Sequence, residues 1–289
     1  MTKEMKHLII FFFGALAWTW MFYFPIGIFQ LDTSSGIGLA LFLAGGPAPS
    51  FMGLIMVFAT FTPAQRRDYF TRCIDVKRIG WWFLLPLLLS PLLALIVTGI
   101  TRLIGGDLPG METLHTLLSN PLLIPLALFL FLWSGPLNEE FGWRGYALDP
   151  LLARFGFIRG SVILGLIWGI WHLPWCFMAG QSQKLETFWL YVLSVVGLSL
   201  LMSLLHIKTR RSILAALLMH FCSNFFMSQL LSPTSALYET WRMVIWVIVG
   251  CLIAGYAFYR KDALLAGFRQ ELEKAGTGGG LTAGSVEAA

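Results

Sequence analysis

The feature that most constrains this chain is the length of its uncharged apolar runs: Pro121 to Asn138 passes eighteen residues without a charged side chain. The hydrocarbon core of a bilayer is about 30 Å thick and takes about 20 helical residues to cross, and in lipid only helices and closed barrels satisfy every backbone polar group. Eight segments meet that demand: 8–29, 37–61, 81–104, 121–148, 161–180, 187–206, 213–232 and 241–259. They predict an all-α fold, a polytopic membrane helix bundle with about eight transmembrane helices. The expected organisation is one membrane domain over 1–260, a catalytic core at about 120–230, and a cytoplasmic tail over 261–289 whose Gly-rich end is disordered.

Composition excludes the alternatives. With 57% hydrophobic and only 12% charged residues, the chain cannot cover itself with a water-facing surface, which takes roughly 25% charged residues. The net charge of +5 is spread in small groups between apolar runs, so no basic face for nucleic acid is expected, and the bilayer is the predicted partner. The first segment has Lys3 and Lys6 followed by Ala15-Leu16-Ala17, but its apolar run continues to Phe29, longer than a signal sequence needs, and is read as an uncleaved span. With the amino terminus placed in the cytoplasm, 17 of the 20 Lys and Arg fall on the cytoplasmic side and only Arg102, Lys184 and Arg242 outside, as the positive-inside rule asks of an even number of spans. Both termini are therefore expected in the cytoplasm.

Against this apolar background a few polar residues stand out. Glu139-Glu140 close the apolar run of the fourth segment, and an acidic group at the centre of a membrane helix costs about 2.5 to 3.5 kcal/mol. Arg144 lies four residues after Glu140 and shares its helix face, whereas Glu139 points about 100° away. That geometry gives chemistry to Glu139 and structural support to the Glu140–Arg144 pair; the other reading leaves both glutamates at the interface. A charge swap between Glu140 and Arg144 should recover some yield. His172 is expected near the bilayer middle, flanked on its face by Trp168 and Trp175 as pocket walls. It is read either as a packing hydrogen bond or as part of a site, and Gly165-x-x-x-Gly169 beside it permits close helix approach. His220 and Asn224, at i and i+4 in the seventh segment, can donate to an oxyanion or bond a neighbouring helix. His206 and His115, at a span end and in a loop, are assigned to solvent.

One carboxylate, two histidines and an asparagine on three spans, all expected to be reached from the cytoplasmic side, form a set that activates water and stabilises an oxyanion. HExxH, GxSxG and P-loop motifs do not occur. The residues resemble the CPBP family of intramembrane proteases, which includes the type II CAAX prenyl endopeptidases and bacteriocin-processing or immunity proteins. The family's EExxxR, aromatic-xxx-His and His-xxx-Asn/Asp motifs appear as Glu139-Glu140-Phe141-Gly142-Trp143-Arg144, Trp168-Gly169-Ile170-Trp171-His172 and His220-Phe221-Cys222-Ser223-Asn224, with Trp168 where Phe is commoner. The resemblance covers roughly residues 120–230. It implies an intramembrane endopeptidase acting on a membrane-associated peptide or protein: Glu139 the general base assisted by His172, His220 and Asn224 the oxyanion site, Glu140 and Arg144 holding the helix. A non-enzymatic immunity or scaffold protein and a proton-coupled transporter are the alternatives, the latter without the repeats expected of it.

Glu139, His172 and His220 are also the ligand set of a His₂Glu zinc site. Metal-binding histidines need acceptors to fix their tautomer, and the neighbours here are mostly Trp, Leu, Ile and Phe on helices whose carbonyls are already bonded. The expectation is therefore metal-free catalysis by Glu139, with a divalent metal such as zinc as the alternative.

Overall fold

The computed structural model describes residues 2–181, 183–231 and 235–276, and among them every regular element is helical. The α-helices in chain order are α1 (Lys3–Phe29), α2 (Gly36–Gly45), α3 (Ala48–Thr60), α4 (Pro63–Ile74), α5 (Leu84–Leu103), α6 (Glu112–Ser119), α7 (Ile124–Trp133), α8 (Pro136–Gly142), α9 (Leu148–Trp171), α10 (Phe188–Lys208), α11 (Ile213–Asn224) and α12 (Ala236–Lys274). Two π-helical turns, Trp143–Ala147 and Phe225–Gln229, continue α8 and α11.

Six helical stretches are long and apolar enough to span a membrane: 3–29, 36–60, 80–103, 121–177, 185–208 and 236–260. The stretch Pro121–Phe177 has 57 residues, which as one straight helix would run about 85 Å, far more than one crossing needs. It folds back at Gly156, whose φ of 77° and ψ of 178° interrupt α9. It thus accounts for the fourth and fifth expected segments, and the shorter apolar helix Ile213–Gln229 for the seventh. The protein is an integral membrane helix bundle, with about eight spans by this reading.

Three boundaries differ from expectation. The fourth segment is broken three times: a 3₁₀ turn at Pro121–Leu123 precedes α7, the helix stops at Ser134–Gly135, and α8 passes into its π turn. The fifth is no continuous helix over 161–180, because α9 ends at Trp171 and a 3₁₀ turn, Leu173–Phe177, follows; Pro174 has no amide hydrogen to continue it. At the other end of the chain α12 runs to Lys274, and Leu264, Leu265, Phe268 and Leu272 of the expected tail are buried in the common core. The Gly-rich end, 277–289, lies outside the described residues.

Helices α9, α10 and α12 pack along much of their length, α1 lies against α2 and α3, and α8 is held between α3 and α11. The Gly165/Gly169 pair seats α9 on α10: a methyl group on either would fall 2.7 Å from the Cα of Val196 or 3.0 Å from that of Val192.

Candidate active site

The site begins at the break before α8. Pro136 starts a helix well and Gly135 precedes it, so α8 opens in the middle of the bundle with Glu139 in its first turn. Its carbonyls find partners on other elements: Ser50 Oγ donates to Leu137 O at 2.8 Å, Tyr69 Oη to Phe141 O at 2.8 Å, and Arg72 Nη2 to Gly145 O at 3.3 Å. A π turn frees such carbonyls, and these bonds fix the segment where a regular helix would drift.

Both glutamates are buried, Glu139 at 5% exposure and Glu140 at 0%, so neither sits at a wet interface. Glu140 Oε1 accepts from Arg144 Nη1 at 3.0 Å, the pairing expected from their spacing. It also accepts from His220 Nδ1 at 2.6 Å, a contact across 80 positions that no local spacing announces. Glu139 stands apart from both. Its Oε2 accepts from the indole N–H groups of Trp168 and Trp143, at 2.5 and 3.4 Å. Trp168 is more than a wall, because the Arg144 guanidinium lies 4.1 Å above its ring while its edge donates to Glu139.

His172 sits just past the end of α9. There the backbone N–H of His172 turns to Gly169 O, which leaves Trp168 O for the ring: Nδ1 of His172 lies 2.9 Å from it and donates to it. Trp171, Trp175 and Tyr191 pack around the ring at centroid distances of 4.7, 5.0 and 5.3 Å. On α11, His220 with its Nδ1 on Glu140 presents Nε2 beside Asn224. Both groups crowd Gly135, where a methyl carbon would stand 3.1 Å from His220 Nε2 and 3.0 Å from Asn224 Nδ2.

Glu139, His172, His220 and Asn224 all line one cavity of about 420 Å³, with Trp168 and Trp175 in its walls. The shared access expected from the basic, cytoplasmic-loop side is not observed. The cavity is lined by Tyr23 near the end of α1, Tyr191 near the start of α10, Gln229 past the end of α11 and Arg242 near the start of α12, together with Gln183 in the loop before α10. These mark the end of the bundle opposite the basic loops. Below Glu139, Trp143, Tyr146 and Tyr69 are buried and close the floor.

The acceptors that the sequence denied to the two histidines are present: Trp168 O is freed by the helix end, and Glu140 is supplied by α8. Each ring is held through Nδ1, which is how metal-binding histidines are oriented. The ligand set itself does not assemble, since among the described residues no three His, Cys, Asp or Glu side chains stand close enough to hold one ion, and the carboxylate against His220 is Glu140, not Glu139. The residues as placed do not fit a His₂Glu metal site.

A second polar cluster was missed. His206, which the sequence leaves to solvent, is 1% exposed, and its Nε2 lies 2.7 Å from Asp149 Oδ1. Asp149 Oδ2 also pairs with Arg211 at 2.6 Å and Arg72 at 3.4 Å, and Asp68 binds both arginines, at 3.2 and 3.0 Å. This cluster ties α4 and α9 to the link between α10 and α11 at the basic end, away from the cavity. Asp68, Arg72, Asp149 and Arg211 all fall outside the expected spans, so nothing in the sequence pointed to a buried partner for any of them.

With this geometry established, similarity to known proteins is informative. The family described as Type II CAAX prenyl endopeptidase Rce1-like matches residues 121–226, the segment that holds all three motifs. A CAAX prenyl protease 2 of Methanococcus maripaludis is 28% identical over 201 residues, 67% of this chain and 73% of that protein. The resemblance drawn from the motifs holds.

Proposed function

We propose that this relative of the type II CAAX prenyl endopeptidases hydrolyses a peptide bond of a membrane-associated peptide or protein inside the 420 Å³ cavity, with Glu139 as general base and without a metal. The observation that carries the reading is the separation of the two buried carboxylates. Glu140 is committed to Arg144 and His220, while Glu139 faces the cavity with only two indole donors on one oxygen. A water beside Glu139 gives up a proton as its oxygen attacks the scissile carbonyl; Glu139 then delivers that proton to the departing nitrogen, so one residue serves as base and then acid. His172, its Nδ1 fixed on Trp168 O, offers Nε2 to orient the water.

The oxyanion falls to Asn224 Nδ2 and His220 Nε2, the two groups that converge on Gly135. Because Nδ1 of His220 donates to Glu140, its Nε2 donates only when the ring is an imidazolium. Glu140 supports that form as the triad carboxylate supports its histidine. Removing one such donor typically costs about 10²–10³ in rate.

The test is hydrolysis of a defined peptide library by the reconstituted protein in ¹⁸O-water. Wild type is expected to place ¹⁸O in new C-termini, and Glu139→Gln to place none. Absence of new termini with wild type, or label retained by Glu139→Gln, defeats the proposal.

A further inference from the structure

We infer that the cavity takes its substrate from the non-cytoplasmic face of the membrane, so that the peptide cleaved is a segment already carried across the bilayer; this rests on the endopeptidase reading above. Two independent observations combine. The first is charge: Arg144 is wholly buried at the site and leaves the loop count, yet sixteen Lys and Arg still lie in the segments 1–7, 62–80, 145–160, 207–212 and after 259, against Arg102, Lys184 and Arg242 elsewhere. That asymmetry places the basic end in the cytoplasm. The second is the direction of the cavity.

The cavity rises from Glu139 and His220 in the middle of the bundle to Gln183, Gln229 and Arg242. Above the glutamates, α1 and α10 reach its mouth with their ends remote from the basic loops: Tyr23 is six residues before the close of α1, and Tyr191 three residues after the start of α10. In the other direction the way is shut. Beneath the glutamates Tyr69 and Arg72 bond the carbonyls of Phe141 and Gly145, and the Asp68–Asp149–Arg72–Arg211 cluster seals the last layer. A peptide on the cytoplasmic side would have to dismantle this buried network to reach Glu139. One on the far side meets a polar mouth of Gln183, Gln229 and Arg242, the last paired with Glu239, and then walls of Trp168, Trp175 and Tyr191. The process that supplies the substrate is thus export, or insertion of a membrane protein whose cleaved segment ends outside. Water adds across the scissile C–N bond, and both products, a new carboxylate and a new amine, are released on that face.

The experiment is labelling of single cysteines with a membrane-impermeant maleimide in right-side-out and inverted vesicles. The full chain carries Ala at Cys73, Cys176, Cys222 and Cys251 and either Gln183→Cys at the mouth or Arg67→Cys at the basic end. Labelling of Gln183→Cys confined to right-side-out vesicles, and of Arg67→Cys to inverted ones, is the expected result. Reversal of the pattern, or labelling of both from one side, overturns the inference. Should the cysteine-free chain not fold, an epitope inserted after Gly110 and another at the C-terminus of the native chain give the same readout: the first detected on intact cells, the second only after permeabilisation, and the opposite result decides against it. Repeating the labelling with Glu139→Gln separates the two readings, because accessibility is unchanged whether or not the protein hydrolyses peptides.

Discussion

Adjacent in the chain, Glu139 and Glu140 are asked for opposite things by their surroundings. Glu139→Gln keeps an oxygen for the indole N–H of Trp168, so the variant should unfold at the wild-type temperature in detergent and lose hydrolysis. Glu140→Gln strips the fully buried Arg144 of its countercharge, a change worth about 3–5 kcal/mol, and should lower both the unfolding temperature and the activity. The charge swap expected from spacing alone should fail, because the new guanidinium at position 140 would face His220 Nδ1. Gly135→Ala tests the oxyanion pair without touching it: its methyl would stand 3.0 Å from Asn224 Nδ2 and 3.1 Å from His220 Nε2, and because a misplacement of about 1 Å is worth roughly 100-fold, this smaller displacement should lower turnover by less than that, with normal expression. Metal-free chemistry predicts that chelator-treated protein, shown by elemental analysis to be free of zinc, hydrolyses peptide at the untreated rate. Activity lost with a stoichiometric zinc and restored by zinc alone would refute it.

At the scale of elements, two of the three motif helices, α8 and α11, run into a π turn after their functional residues, Trp143–Ala147 after the glutamates and Phe225–Gln229 after Asn224. Such turns often mark functional sites, because they re-aim side chains and free carbonyls for other partners. The elements below are locked by the cluster around Asp149. Burial pushes the Arg72 guanidinium down from its ordinary value and nearby Arg211 adds to this, while Asp149 and Asp68 oppose it. Asp149→Ala should therefore cost about 3–5 kcal/mol, as buried pairs do when one partner is removed. Turnover per folded molecule should stay at the wild-type value, since the cluster lies outside the cavity. Detergent thermal unfolding alongside active-site-normalised rates checks both, and a proportionate fall in turnover would make the cluster part of the catalytic machinery.

For the whole molecule, the bundle needs its last helix beyond the membrane. Leu264, Leu265, Phe268 and Leu272 are buried against the core, and Arg211 Nη1 donates to Glu271 O at 3.4 Å. Each such apolar side chain contributes about 1.5–3 kcal/mol when fully buried. Truncation after Arg260 should therefore reduce the yield of folded protein and its unfolding temperature, which size-exclusion chromatography and thermal unfolding would show. A truncated chain as stable as wild type would make this segment a dispensable tail.

What the sequence determined by itself was what short range and solvent decide. Uncharged runs of about 20 residues have no stable place but lipid, and i,i+4 spacing on a helix is enough to pair Glu140 with Arg144 and to set Glu139 apart from them. The three motifs picked out Glu139, His172, His220 and Asn224, and the structure gathers those four into one cavity. Tertiary structure decided the rest. Periodicity could not show that Glu140 also holds His220, that Trp168 links Glu139 to Arg144, or that Asp149 buries His206 with two arginines, because each joins residues far apart in the chain whose meeting depends on how helices cross. Nor could it show which way the cavity opens, since hydropathy gives the depth of a residue in the bilayer but not the side on which neighbouring helices leave room for water and a peptide.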